Sequence, residues 1–225
     1  MSLSGSSDSL PNWSPKAVVF DCDGLLVDTE PCWTIAETEL FRRHGRGFGD
    51  VEKALLIGRS MTDAAAVLAQ EFDEIGQERA LVEELLLLVN KAIGANATTM
   101  PGATRLVQMV RSALPMAVAS NSPRKLMDAA LDRGGLGGTF AVSLAADEVP
   151  EPKPAPDIYL EACNRLGVQP SDAVAFEDSA TGLRSATAAG LRTIGIPTLK
   201  TQSLTADWVW GSLEDPALMA WVTTW

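Results

Sequence analysis

Four short apolar runs constrain this chain most: Ala17 to Phe20, Met116 to Ala119, Ala173 to Phe176 and Leu191 to Ile196. Each has the length of a strand and runs into polar or acidic residues, and continuous rather than alternating apolarity implies cover on both faces. Helical patterns lie between them, at Arg124 to Arg133, Pro156 to Leu166 and Ala180 to Ala189. The alternation predicts an α/β fold with a doubly wound, Rossmann-like parallel sheet flanked by helices. In such sheets ligands bind beyond the carboxyl ends of the strands.

One segment departs from that rhythm. Between Glu30 and Pro101 helical patterns occupy Cys32 to His44, Met61 to Phe72 and Gln77 to Ile93, the last placing Leu81, Leu85, Leu88 and Ala92 on one face. The expected organisation is a flexible tail over residues 1–14, a catalytic core over 15–29 and 99–225, and an all-helical cap over 30–98 that acts as a lid. The run Leu85-Leu86-Leu87-Leu88 reads as packing inside the cap, with a dimer surface as the alternative, so a monomer is expected. Trp208, Trp210, Trp221 and Trp225 suggest that a last strand and helix pack onto the sheet.

Charge narrows the partners. With 29 acids against 18 bases the 225-residue chain carries a formal charge of -11, a field that repels nucleic-acid backbones. No apolar run approaches the roughly 18 residues that a membrane-spanning helix needs. Cys22, Cys32 and Cys163 form no CxxC pair and are odd in number, which argues against a disulfide framework or a zinc site and fits a reducing cytoplasm.

The chemistry concentrates at the ends of the apolar runs. In VVFDCDGLLVDTE the first run delivers Asp21 and Asp23 two positions apart, so that both can face one side of a strand end while Cys22 faces the other. Two carboxylates that close cannot both stay charged in a dry site; either they share a proton or a cation sits between them, and magnesium suits oxygen ligands of this kind. Asp28 and Glu30 fall outside that pair and belong to the connection into the cap. The second run stops at Ser120 in VASNSP, and the third at Glu177-Asp178 in VAFEDSATG. Lys153 stands between prolines in EPKPAPD, a setting that predicts an extended loop with a defined reach.

Taken in order, FDCDGLLVDTE, VASNS, EPKPAPD and FEDSATG resemble the four signature motifs of the haloacid dehalogenase superfamily, and the helical insertion resembles its small cap. The resemblance implies that Asp21 is a nucleophile forming an aspartyl phosphate and that Asp23 is the general acid and base. It further implies that Ser120, Asn121 and Lys153 hold the phosphoryl group, and that Mg2+ is bound by Asp21, the Asp23 carbonyl, Asp178 and Glu177. Asp23 favours phosphate over halide as the leaving chemistry, because a dehalogenase needs neither a second aspartate nor a metal. DTEPCW and GRS in the insertion are most similar to the branch of sugar-phosphate phosphatases and beta-phosphoglucomutase, implying a small phosphorylated metabolite as substrate.

A phosphomutase is the alternative. It is weakened because Trp33 stands where the mutase pattern has a histidine and Met61 where it has a cap arginine. Trp33 and Arg59 are the candidate substrate contacts from the cap, while His44, the single histidine, reads as a polar helix-end residue. A receiver-like phospho-acceptor module shares the acidic cluster and the lysine, but it has neither the insertion nor an acid-base two residues after the acceptor.

Overall fold

The computed structural model describes residues 11–56, 59, 61–198 and 202–225. In chain order its elements are β1 (Ala17–Phe20), β2 (Val27–Asp28), α1 (Glu30–Arg43), α2 (Asp50–Leu56), α3 (Met61–Glu71), α4 (Glu78–Asn96) and β3 (Thr98–Thr99). There follow α5 (Ala103–Arg111), β4 (Met116–Ala119), α6 (Arg124–Arg133), β5 (Val142–Leu144), α7 (Asp157–Leu166), β6 (Ala173–Glu177), α8 (Ala180–Ala189), β7 (Arg192–Gly195), β8 (Trp208–Val209) and α9 (Pro216–Val222). The chain divides into two compact units, one of residues 1–27, 99–124 and 138–225, the other of residues 28–98 and 125–137.

The first unit is built on a six-stranded sheet of order β5-β4-β1-β6-β7-β8 in which every neighbouring pair is parallel. β1, β4 and β6 are fully buried along their length, as their unbroken apolarity requires. Successive connections run outward from β1 to β4 and β5 on one side and from β6 to β7 and β8 on the other, so the winding reverses between β1 and β6. At such a point two adjacent strand ends are left with a crevice between them. Ile158, Tyr159, Ala162 and Cys163 of α7 and Ala186 and Ala189 of α8 pack in one core with Val19, Ala117 and Ala175 of the sheet.

The tryptophan-rich tail forms a short strand and a helix, β8 and α9. Trp221 is almost fully buried, with ring centroids 4.9 Å from Trp208, 5.5 Å from Trp210 and 5.0 Å from Trp225. Asp215 caps α9 by accepting hydrogen bonds from the Ala217 and Leu218 amides, and Pro216 occupies the first helical position, where its missing N–H costs nothing.

The second unit is helical. Leu81, Leu85, Leu88 and Ala92 of α4 are all buried, whereas Leu87, off that stripe, is 72% exposed. Phe41 of α1 meets Phe48 and Phe72 at ring distances of 5.0 Å and 4.8 Å. His44 caps α1 and does more than finish the helix: its ring stacks on Phe72 at 4.3 Å, and its two nitrogens face Glu74 and Glu84 at 2.8 Å and 3.3 Å. Glu30 pairs with Lys53 at 2.8 Å. Among the described residues no helix is long and apolar enough to cross a membrane, and the three cysteines are buried and unpaired.

Candidate active site

The end of β1 is shaped by its turn. The Asp21 amide still donates to Phe176 O of β6 at 3.0 Å, and then Leu26 and Val27 amides both return to Cys22 O, at 2.9 Å and 3.0 Å. Gly24 sits in this turn with φ +78°, and a Cβ there would fall 2.3 Å from Asp178 Oδ2. Glycine is therefore required twice, for a left-handed backbone and for the approach of a carboxylate from the loop after β6.

Lys153 is the centre of the arrangement. Its side chain is only 3% exposed, and Nζ donates to Asp21 Oδ1 at 2.5 Å, Glu177 Oε1 at 2.6 Å and Ala119 O at 2.9 Å. An extended loop was the expectation for EPKPAPD; instead it turns, with Ala155 N donating to Pro152 O at 3.0 Å. The physical reason is that Lys153 is held through its own backbone: its N–H donates to Asn121 Oδ1 at 2.8 Å and its carbonyl accepts from Asn121 Nδ2 at 3.1 Å. The Asn121 side chain thus faces the lysine loop, while neighbouring Ser120 donates its hydroxyl to Asp23 Oδ2 at 2.8 Å and accepts from the Ser122 amide at 2.9 Å.

Glu177, the last residue of β6, has no exposed surface. Lys153 and Tyr159 both donate to its Oε1, each at 2.6 Å, and the Ser179 hydroxyl donates to Oε2 at 3.1 Å. A Cβ on Gly182 would lie 1.8 Å from Oε1, so the first turn of α8 is cut back to make room for this carboxylate. Asp178 follows, its carbonyl accepting from Gln202 Nε2 at 2.7 Å. Motif reading identified the lysine and the acids but missed Tyr159, Ser179 and Gln202. The signals available were that Tyr159 is the only tyrosine, on an otherwise aliphatic helix face, and that Ser179 stands at the N-cap position, where it accepts from the Gly182 amide.

Carboxylate oxygens of Asp21, Glu177 and Asp178 come within 4.8 Å of one another. Burial pushes the Asp21 carboxyl well above its ordinary range against the pull of Lys153, with Glu177, Asp178 and Asp23 adding to the rise. Burial also lifts Asp178, to about 7, with Glu177 the next cause. Burial works against the charge on Lys153, but Asp21 and Glu177 outweigh it and hold its pKa well above the ordinary lysine value. Two buried acids and the partly buried Asp178 around one ammonium form a site short of positive charge, and its donors are all hard oxygens. That set fits a divalent cation such as Mg2+. The Asp23 carboxylate stands outside the three-acid cluster, on the Ser120 side. Trp33 is half-buried on α1, and Arg59 is exposed with Nε donating to Leu55 O at 2.5 Å, both in the helical unit; Gly58 and Ser60, which flank Arg59, lie outside the described residues.

The deciding comparison is with a family model: residues 15–190 match haloacid dehalogenase-like hydrolase. The chain belongs to that family. Within this hydrolase family, it is 32% identical over 183 residues to a fructose-1-phosphate phosphatase of Escherichia coli, covering 80% of this chain and 95% of that protein. It is 30% identical over 226 residues to a bifunctional riboflavin kinase/FMN phosphatase of Arabidopsis thaliana; that match takes in 98% of this hydrolase but spans only 58% of the plant protein. Among solved structures, CbbY from Rhodobacter sphaeroides in complex with phosphate superimposes with a TM-score of 0.78 at 28% identity, over 89% of this chain and 96% of that one.

Proposed function

We propose that this hydrolase is a magnesium-dependent phosphatase that cleaves a small phosphorylated metabolite of the sugar-phosphate class through an aspartyl phosphate on Asp21. The observation that carries the proposal is the meeting of Asp21, Lys153 and Glu177, from three separate stretches of sequence, within hydrogen-bond distance at the carboxyl ends of β1 and β6. Phosphatase names among its relatives, one of them for fructose 1-phosphate, point the same way.

In this mechanism the Asp21 carboxylate attacks phosphorus in line while Lys153 balances charge on the phosphoryl oxygens. Ser120 holds the Asp23 carboxyl by its hydrogen bond, so that Asp23 protonates the departing alcohol and then takes a proton from the water that cleaves the acyl phosphate. Ser120 and Asn121 lie beside the transferred group at the end of β4. Asp21, Asp178, Glu177 and the Asp23 carbonyl would hold Mg2+, which when bound supplies the positive charge that the acidic cluster needs and polarises the phosphoryl group. Residues 30–98 act as a lid that sets substrate choice, with Trp33 and Arg59 as contacts. Three unpaired cysteines suit a reducing compartment such as the cytoplasm, and the protein acts as a monomer.

Hydrolysis of p-nitrophenyl phosphate tests the chemistry: release of phosphate with Mg2+, its loss in excess chelator and its return on adding Mg2+ are expected. Full activity in chelator would overturn the metal. A screen of phosphorylated metabolites then identifies the substrate. Incubation with beta-glucose 1-phosphate and a bisphosphate primer should liberate phosphate; faster appearance of glucose 6-phosphate would establish a mutase instead.

A further inference from the structure

We infer that Tyr159 is a positioning residue of the metal site, its hydroxyl fixing the Glu177 carboxylate for the cation. The inference rests on the magnesium-dependent reading above. Tyr159 is fully buried in α7, seated among Ile158, Ala162 and Cys163, so its ring has one place to stand. From there the O–H donates to Glu177 Oε1 at 2.6 Å, and the ring lies 5.1 Å from Lys153 Nζ.

The geometry assigns the hydroxyl a specific task. Glu177 Oε1 has two donors, one charged and one neutral. The charged one, Lys153, also bonds to Asp21, so by itself it would draw Glu177 toward that pair. Tyr159 pulls from the helix side, Ser179 fixes Oε2, and the space left by Gly182 receives the carboxylate. Lys153 and Tyr159 stand six positions apart, before and within the first turn of α7, so a single stretch of chain places both donors on Glu177. Partners of metal-binding side chains commonly govern metal affinity or activity by about 10- to 100-fold.

The test measures Mg2+ binding by calorimetry, with the metal alone and no substrate, in the full chain and in Tyr159→Phe, Glu177→Gln and the double variant. Phenylalanine keeps the ring and removes only the hydroxyl. Tyr159→Phe should weaken Mg2+ binding by roughly 10-fold, and the double variant should bind no more weakly than Glu177→Gln, because the hydroxyl acts through Glu177. Equal affinity in Tyr159→Phe, or fully additive losses, would overturn the inference. A melting scan in chelator should find Tyr159→Phe folded; an unfolded variant would assign the hydroxyl to the fold and overturn it too. Thr193→Val removes another buried hydroxyl, one that bonds Asp207 at 3.0 Å in β7, and should leave Mg2+ affinity unchanged; an equal loss there would also refute a specific role for Tyr159. Failure of the wild-type chain to bind Mg2+ would instead overturn the metal-dependent reading itself.

Discussion

Lys153 Nζ stands 2.5 Å from Asp21 Oδ1, although 132 positions of sequence separate the two residues. The pair joins the end of β1 to the loop before α7, and with Glu177 it places one buried cation between two buried acids. Removing the lysine from such an arrangement is costly, because the two acids that remain have neither water nor a counterion.

Lys153→Met should therefore destabilise the metal-free protein by about 3–5 kcal/mol, the usual cost of breaking a buried pair. Urea unfolding in chelator measures it. A variant as stable as wild type would mean that the buried ion pairs of Lys153 contribute nothing to the fold.

Asp21→Asn retains the shape of the side chain and removes the nucleophile. Its kcat on p-nitrophenyl phosphate should fall by roughly 10³-fold or more, as in other enzymes that lose a covalent nucleophile. Its melting temperature in chelator should not fall, since Lys153 keeps Glu177 as a partner. Near-normal turnover would place the attack elsewhere.

Gly24→Ala should damage the site from the turn side. A left-handed backbone costs a residue with a side chain about 1–3 kcal/mol, and the new methyl would meet Asp178 Oδ2. Both weaker Mg2+ binding by calorimetry and a lower melting temperature are expected. Unchanged metal affinity would show that Asp178 is free to move without consequence.

His44 gives the helical unit a pH dependence. Partial burial works against its charge, but hydrogen bonds to Glu74 and Glu84 outweigh it and raise its pKa above 6.5. A pKa raised by folding means that the stabilisation is complete below the unfolded value and disappears as pH rises through the folded one. As the only histidine, its ring should give one NMR titration midpoint above 6.5. The stability gap between wild type and His44→Gln should be larger at pH 5.5 than at pH 8.5. A midpoint below 6.5 would contradict the pairing with the two glutamates.

Much of the fold was open to sequence reasoning because its signals are local. The runs at Ala17–Phe20, Met116–Ala119 and Ala173–Glu177 are strands because a strand covered on both faces must be apolar throughout, a property that can be read residue by residue. The stripe Leu81, Leu85, Leu88 and Ala92 is buried for an equally local reason, the helical period. The three-residue strand β5 and the seven-residue helix α2 are too short for either signal to stand out.

By itself the sequence determined the alternation of strand and helix and the helical insertion, and it singled out Asp21, Asp23, Ser120, Lys153, Glu177 and Asp178 as candidates for one site. Only the tertiary structure decided that Lys153 is buried and shared between Asp21 and Glu177, and that its loop turns against Asn121. The same holds for Tyr159 reaching Glu177, and for Gly24 and Gly182 being the clearances that two carboxylates require. The division has a physical cause: periodicity reports which face of an element is covered, whereas hydrogen-bond partners and close approaches depend on which distant elements the sheet order makes neighbours.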